Sequence, residues 1–126
     1  MEKQAGVRHR ITMKLAVFGI ALTFAGLAFA HVFPQKQEPG AGATVTSPPA
    51  VTITFDGPLE PAFSTLTVTD ASGKQVNTAK AIVDPQRPTV MSVALPALAT
   101  GRYTVNWAAV AADGHRTHGD YRFDVK

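Results

Sequence analysis

Three histidines follow position 30 of the chain, and the first of them lies where it could become a chain terminus. His31 comes directly after Ala28-Phe-Ala30, a small-x-small pattern typical of a signal-peptidase site. Cleavage after Ala30 would leave His31 with a free α-amine. An α-amine and an imidazole on one residue can close a chelate ring on a metal ion. An internal histidine lacks this option because its backbone nitrogen is an amide.

The other two histidines lie in one short segment, Asp113-Gly-His115-Arg-Thr-His118. In an extended segment, Asp113 and His115 would project from the same face and could reach one ion together. The glycine between them would keep the approach open. His118 is three residues from His115, which on a strand is the opposite face. We therefore expect His118 to face solvent or to support the site from outside rather than to bind the ion.

The donor set formed by these residues favours copper. His31, Asp113 and His115 together would supply three nitrogens and one oxygen, and a roughly planar set of this kind suits Cu(II). Zinc prefers a tetrahedron and is the weaker candidate. Cu(I) would favour sulfur, but the chain has no cysteine, and Met91, the one methionine after position 30, lies inside a strand-like run.

Each of these residues also has an ordinary explanation. A histidine can follow a cleavage site by chance, Asp-Gly is a common turn pair, and a lone histidine is often a surface-loop residue. The coincidence of all three features is what favours a metal site. The remaining large residues of the later strands are expected in the core, namely Met91, Tyr103, Trp107 and Phe123.

The basic charge of the chain belongs to its first 30 residues. The 126-residue sequence has twelve basic and nine acidic residues, and removal of the leader leaves eight of each. This balance argues against nucleic-acid binding. The run 15–30 is nearly all apolar but shorter than the roughly 20 residues usually needed to span a bilayer. We expect a signal peptide over residues 1–30, and an exported mature protein that is not embedded in the membrane.

Residues 31–126 have the pattern of an all-β sandwich, in which short alternating runs are separated by proline, glycine and aspartate clusters. Helical periodicity is absent. The strand-like runs are residues 51–55, 66–69, 74–76, 90–95, 102–107 and 120–125. Asp70-Ala-Ser-Gly73 is a turn signal that predicts a hairpin between the second and third runs. Residues 111–119 are predicted to break the chain between the last two strands.

The chain resembles the CopC family of periplasmic copper-binding proteins over essentially all of residues 31–126. The resemblance rests on His31, Pro39 and Gly42 at the start, on Phe63-Ser64, and on a C-terminal pattern of Gly101-x-Tyr103-x-Val105-x-Trp107, Asp113-Gly-His115, Gly119 and Phe123-x-Val125. Two residues depart from the pattern. Pro34 replaces the usual leucine of the N-terminal strand, which affects its pairing, and Ala111 replaces a serine that could donate a hydrogen bond near the site.

The resemblance implies a seven-stranded Greek-key β-sandwich of the immunoglobulin-like or cupredoxin-like kind. It implies one Cu(II) ion bound by His31, Asp113 and His115, and a role in copper homeostasis or resistance through sequestration or delivery. The implied partner is a CopD-like inner-membrane copper transport protein, and we expect the domain to be a monomer. The chain lacks the methionines with which some members bind Cu(I), so no sulfur site is expected.

Two other classes of function remain open at this point. An N-terminal histidine chelate on a β-sandwich also resembles the copper site of lytic polysaccharide monooxygenases, which are enzymes. We do not expect an enzyme, because 96 residues leave little room for a flat aromatic substrate surface and the aromatic residues fall on core-facing positions. The third class is a metal-free immunoglobulin-like interaction module.

Overall fold

The computed structural model describes Gly6 and residues 31–126. The predicted signal peptide, residues 1–30, lies outside the described residues apart from Gly6. No helix in the described part of the chain is long and apolar enough to cross a membrane. Within this part the chain forms eight strands: β1 (Pro34–Glu38), β2 (Thr44–Val45), β3 (Ala50–Phe55), β4 (Thr65–Thr69), β5 (Ile82–Val83), β6 (Val90–Ala94), β7 (Gly101–Val110) and β8 (Arg116–Val125).

The strands form two four-stranded sheets, with the orders β1-β3-β6-β5 and β2-β8-β7-β4. All neighbours are antiparallel except β2, which pairs with β8 in parallel. The predicted all-β sandwich is confirmed. The structure has one strand more than the seven implied by the resemblance, and two of its eight strands, β2 and β5, are only two residues long.

The core lies between the two sheets and is built from the inward positions of each strand. Phe55 of β3 meets Trp107 of β7 edge to face, with ring centroids 5.4 Å apart. A methyl group on Gly119 would lie 2.7 Å from Cζ2 of Trp107, so glycine leaves the space that the indole occupies. The residues expected in the core from sequence are buried: Met91, Tyr103, Trp107 and Phe123.

The predicted break over residues 111–119 is wrong for its second half. Strand β8 begins at Arg116, and β7 and β8 pair without interruption from Gly101 opposite Val125 to Val110 opposite Arg116. The outward residues in this part of β8 are polar, and its inward positions hold Thr117 and Gly119, which leaves space for Trp107. The start of β8 therefore lacks the alternating apolar pattern from which strands are predicted.

The predicted turn at residues 70–73 forms, and the amide of Asp70 donates to the carbonyl of Lys74 over 2.8 Å. The run after it, residues 74–76, contributes only an isolated bridge between Thr69 and Gln75. Pairing stops there because the side chain of Asn77 accepts the backbone N–H of Val68 over 2.8 Å. A hydrogen bond to a side chain thus takes the place of the next backbone hydrogen bond of the predicted hairpin.

The hydroxyl of Tyr121 is buried and has no hydrogen-bond partner among the described residues. The variant Tyr121→Phe removes this hydroxyl and should therefore raise the free energy of unfolding by about 1 kcal/mol. Burial also raises the pKa of Tyr121, whereas tyrosine in an unfolded chain ionises near pH 10. Wild-type stability should therefore fall above about pH 10 more steeply than that of the variant, as measured by chemical denaturation.

Tyr103→Phe is the matched control. The Tyr103 hydroxyl donates to the carbonyl of Ala99 over 2.7 Å, so its removal should lower the free energy of unfolding by about 1 kcal/mol. Equal losses in the two variants would contradict the assignment for Tyr121.

Candidate metal centre

The loop between β7 and β8 is a turn closed by its own backbone. The amide of Ala111 donates to the carbonyl of His115, and the amide of Gly114 donates to the carbonyl of Ala111, both over 2.9 Å. Gly114 has φ +86°, a left-handed conformation that favours glycine. Asp113 and His115 are therefore brought together by a turn and not by the extended segment expected from sequence. Backbone bonds close this loop although Ala111 has no side chain that could donate a hydrogen bond.

Asp113 and His115 form a hydrogen-bonded pair at the surface of this turn. Oδ1 of Asp113 accepts the backbone N–H of His115 over 3.0 Å, and Oδ2 lies 2.7 Å from Nδ1 of its imidazole. These contacts, the imidazole first, lower the pKa of Asp113 below its ordinary value. The carboxylate therefore stays charged near neutral pH and fixes the orientation of the imidazole ring.

His31, the first residue of the described range 31–126, lies at the same end of the sandwich as this loop. Its ring centroid lies 5.4 Å from that of His115, with the ring planes tilted by 43°. Imidazole nitrogens bind zinc at about 2.0–2.1 Å, so the centroids of two rings on one ion of similar size lie between roughly 4.5 Å, at a right angle, and roughly 6.4 Å, on opposite sides. The separation of His31 and His115 fits two rings that share one ion.

The three candidate ligands do not yet form one coordination sphere. Within residues 31–126, no three or more histidine, cysteine, aspartate or glutamate side chains are grouped so that they could hold a metal ion. The Asp113 carboxylate is hydrogen-bonded to Nδ1 of His115. The structure thus brings His31 to His115 and Asp113 to His115, but does not gather all three side chains around one point.

His118 lies on the outer face of β8, opposite Ala108 of β7. It lines an open groove of about 580 Å³ together with polar residues of three strands, among them Thr65, Asn106 and Asp120. The neighbouring Thr117 is buried and points to the inner side. His118 and His115 thus belong to different surfaces of the domain.

Sequence analysis missed two features of the folded domain, its exposed aromatic residues and the contacts of the segment after His31. Phe33 and Phe63 are 53% and 66% exposed, so the expectation that the aromatic residues face the core is wrong for these two. The ring of Phe33 lies 6.2 Å from that of His31. Asp56 and Thr117 contact the backbone next to His31. Neither residue belongs to a recognisable motif, and only the folded chain brings them to the N-terminal segment.

Comparison with known proteins identifies the family. The model of the CopC domain matches residues 35–126. Protein YobA of Escherichia coli K12 is 37% identical over 100 residues, which cover 78% of this chain and 81% of that protein. The crystal structure of CopC from Methylosinus trichosporium OB3b is 34% identical with a TM-score of 0.72, and the match covers 76% of this chain and 94% of that chain.

A second solved structure is PcoC, described as a methionine-rich copper resistance protein from Escherichia coli. It has a TM-score of 0.70 and 30% identity, and the match covers 77% of this chain and all of that one. The chain therefore belongs to the CopC family. It is not methionine-rich after residue 30, since Met91 stands alone there and is fully buried.

The turn that presents Asp113 and His115 should depend on the left-handed conformation of Gly114. Gly114→Ala should lower the free energy of unfolding by about 1 kcal/mol, although its methyl group would meet nothing within 4 Å, because the conformation itself is strained. Gly114→Asn should cost less, since asparagine tolerates this conformation better. Thermal unfolding of the metal-free protein measures both.

Gly40→Ala provides the comparison, because Gly40 does not have positive φ and a methyl group there would make only an ordinary contact of 3.6 Å. It should not reduce stability. A Gly114→Ala variant as stable as the wild type would show that the turn is not held as described.

Proposed function

We propose that the processed protein binds one Cu(II) ion through His31, Asp113 and His115 and serves in copper homeostasis or resistance. The approach of the His31 and His115 rings to 5.4 Å carries this proposal, because the two residues are far apart in sequence and meet only through the fold. Membership of the CopC family supports it, as does the name of PcoC as a copper resistance protein.

The chemistry of the available donors favours Cu(II) over Cu(I). Two imidazoles, an α-amine and a carboxylate are nitrogen and oxygen donors, whereas Cu(I) favours thiolate and thioether sulfur. Residues 31–126 contain no cysteine, and the thioether of Met91 is enclosed in the core. A sulfur-ligated site has no ligands at the surface of this domain.

The copper ion is cargo in this proposal. The domain holds it in the periplasm, after a signal peptide of residues 1–30 has been removed, and sequesters it or delivers it to a CopD-like inner-membrane copper transport protein. His31 and His115 are both exposed, so a partner or a competing ligand has direct access to the ion. The proposed state of the domain is a monomer.

His31→Ala, made in protein that begins at residue 31, should weaken Cu(II) binding by orders of magnitude because it removes one imidazole from the chelate. Adding one residue before His31 should have a similar effect, since it converts the α-amine into an amide. Competition titration against a chelator of known affinity measures both. Electron paramagnetic resonance of the protein with one equivalent of Cu(II) should show three nitrogen ligands in the wild type and fewer in each variant.

His118→Ala is the matched control, because His118 faces the outer groove and its loss should leave the affinity unchanged. Cu(II) should also raise the melting temperature of the wild type, since a ligand that binds only the folded state stabilises it. Unchanged affinity in His31→Ala would refute the ligand assignment. A melting temperature that does not respond to Cu(II) would favour the metal-free interaction module.

Cu(II) affinity should fall as the pH drops below about 7.7, because a chain-terminal amine with a pKa near 7.7–8.0 must lose its proton to bind. The decrease in Cu(II) affinity that this amine causes approaches tenfold for each pH unit. The variant with one residue added before His31 has no such amine at the site and should lose this part of the dependence. Titrations at several pH values measure this difference. If Cu(II) affinity depended on pH equally in the two proteins, the role of the amine would be contradicted.

A further inference from the structure

The residues that follow His31 make contacts that help to hold it next to His115. The residue after it, Val32, is buried in the core. A methyl group on Gly57 would lie 3.0 Å from Cγ1 of Val32, so the absence of a side chain at Gly57 leaves room for the valine. The N-terminal segment therefore enters the sandwich immediately after the proposed ligand.

Thr117 links this segment to β8 through a side-chain hydrogen bond. Its hydroxyl donates to the carbonyl of Val32 over 2.6 Å, and the hydrogen bond is buried. Val32 follows His31 directly, and Thr117 is two residues from His115. This hydrogen bond is therefore a short link between the two backbone segments that carry the histidines.

Asp56 links the same segment to the end of β3, in the sheet β1-β3-β6-β5, through two hydrogen bonds. Its Oδ1 accepts the backbone N–H of Phe33 over 2.8 Å, and its own backbone N–H donates to the carbonyl of Phe33 over 3.0 Å. Asp56 directly follows the end of β3. The reciprocal bonds hold Phe33 just before β1 begins at Pro34, where the pairing with β3 is irregular.

From these contacts we infer that Asp56 and Thr117 are positioning residues that hold His31 within reach of the ion bound by His115. The inference rests on the proposed function, since it concerns the same copper site. Neither residue donates to the ion. Their effect is to fix the terminus before binding, so that less conformational freedom is lost when Cu(II) binds.

The decisive variant is Thr117→Val, which keeps a similar volume but removes the hydroxyl. In protein that begins at residue 31, it should weaken Cu(II) binding about tenfold and speed Cu(II) release, a change of the size that one hydrogen bond contributes. The electron paramagnetic resonance spectrum at saturation should be unchanged, because the ligands are the same. Thr117→Ser keeps the hydroxyl and should restore most of the affinity.

A second pair of variants tests Asp56 independently. Asp56→Asn keeps an oxygen that can accept from Phe33 and should stay close to wild-type affinity, whereas Asp56→Ala should weaken binding about as much as Thr117→Val. Hydrogen exchange of the Phe33 amide, measured by NMR without metal, should be faster in Asp56→Ala only. This pair decides the question if Thr117→Val does not fold.

Asp70→Ala is the control for a general loss of stability. Asp70 accepts hydrogen bonds from Ser72 and Lys74 in the turn after β4, at the end of β4 remote from the β7–β8 loop. Its loss should lower the melting temperature of the metal-free protein and leave Cu(II) affinity unchanged. A merely structural role for Asp56 and Thr117 would give this same result.

The outcomes separate this inference from the proposed function. If His31→Ala binds Cu(II) as tightly as the wild type, the proposed site is wrong. If His31→Ala loses affinity but Thr117→Val and Asp56→Ala do not, the site stands and the positioning role is overturned. A changed number of nitrogen ligands in Thr117→Val at saturation would also overturn it, because the residue would then control which donors bind.

Discussion

The pairing of β7 with β8 is the constraint on which the candidate metal centre depends. These strands contribute ten residues each, in continuous register, and the register leaves only residues 111–115 to reverse the chain. Backbone hydrogen bonds between Ala111, Gly114 and His115 close that turn. Asp113 and His115 are therefore presented by a tight turn at the end of a long hairpin, which limits the conformations that the two side chains can explore.

The core connects this hairpin to the segment that carries His31. Phe55 packs edge to face on Trp107, so the end of β3 lies against β7. Asp56 follows Phe55 and bonds to Phe33, while Thr117 of β8 bonds to Val32. The N-terminal segment thus bridges the two sheets, and the distance between the histidines is set by packing and hydrogen bonds throughout this end of the sandwich.

Much of the fold could be predicted because the apolar residues of β3, β4 and β7 alternate along the sequence. Val51, Ile53 and Phe55 face the core as their spacing indicates. Strands β2 and β5 escaped prediction because a two-residue pairing has no period to detect. The start of β8 escaped it because its inward positions hold the polar Thr117 and the small Gly119, which interrupt the apolar pattern although both are paired with β7.

The candidate site was predictable in its residue types and less so in its geometry. The rarity of histidine and the position of His31 after Ala30 predicted that His31 and His115 would lie close together, and their ring centroids are 5.4 Å apart. The turn at Gly114 and the hydrogen bond between Asp113 and His115 depend on local conformation, which a two-residue spacing does not specify. The contacts of Asp56 and Thr117 depend on pairings between segments distant in sequence, for which a single sequence carries no signal.

Under the proposed function, the arrangement couples a covalent event to the completion of a metal site. In the unprocessed chain the backbone nitrogen of His31 belongs to a peptide bond and is not a basic ligand, so the imidazoles and Asp113 are the donors present. Cleavage before His31 would add an amine at a place already fixed by Val32, which is buried one residue away. The new terminus would therefore need little rearrangement to bind, and the complete donor set would exist only where the leader has been removed.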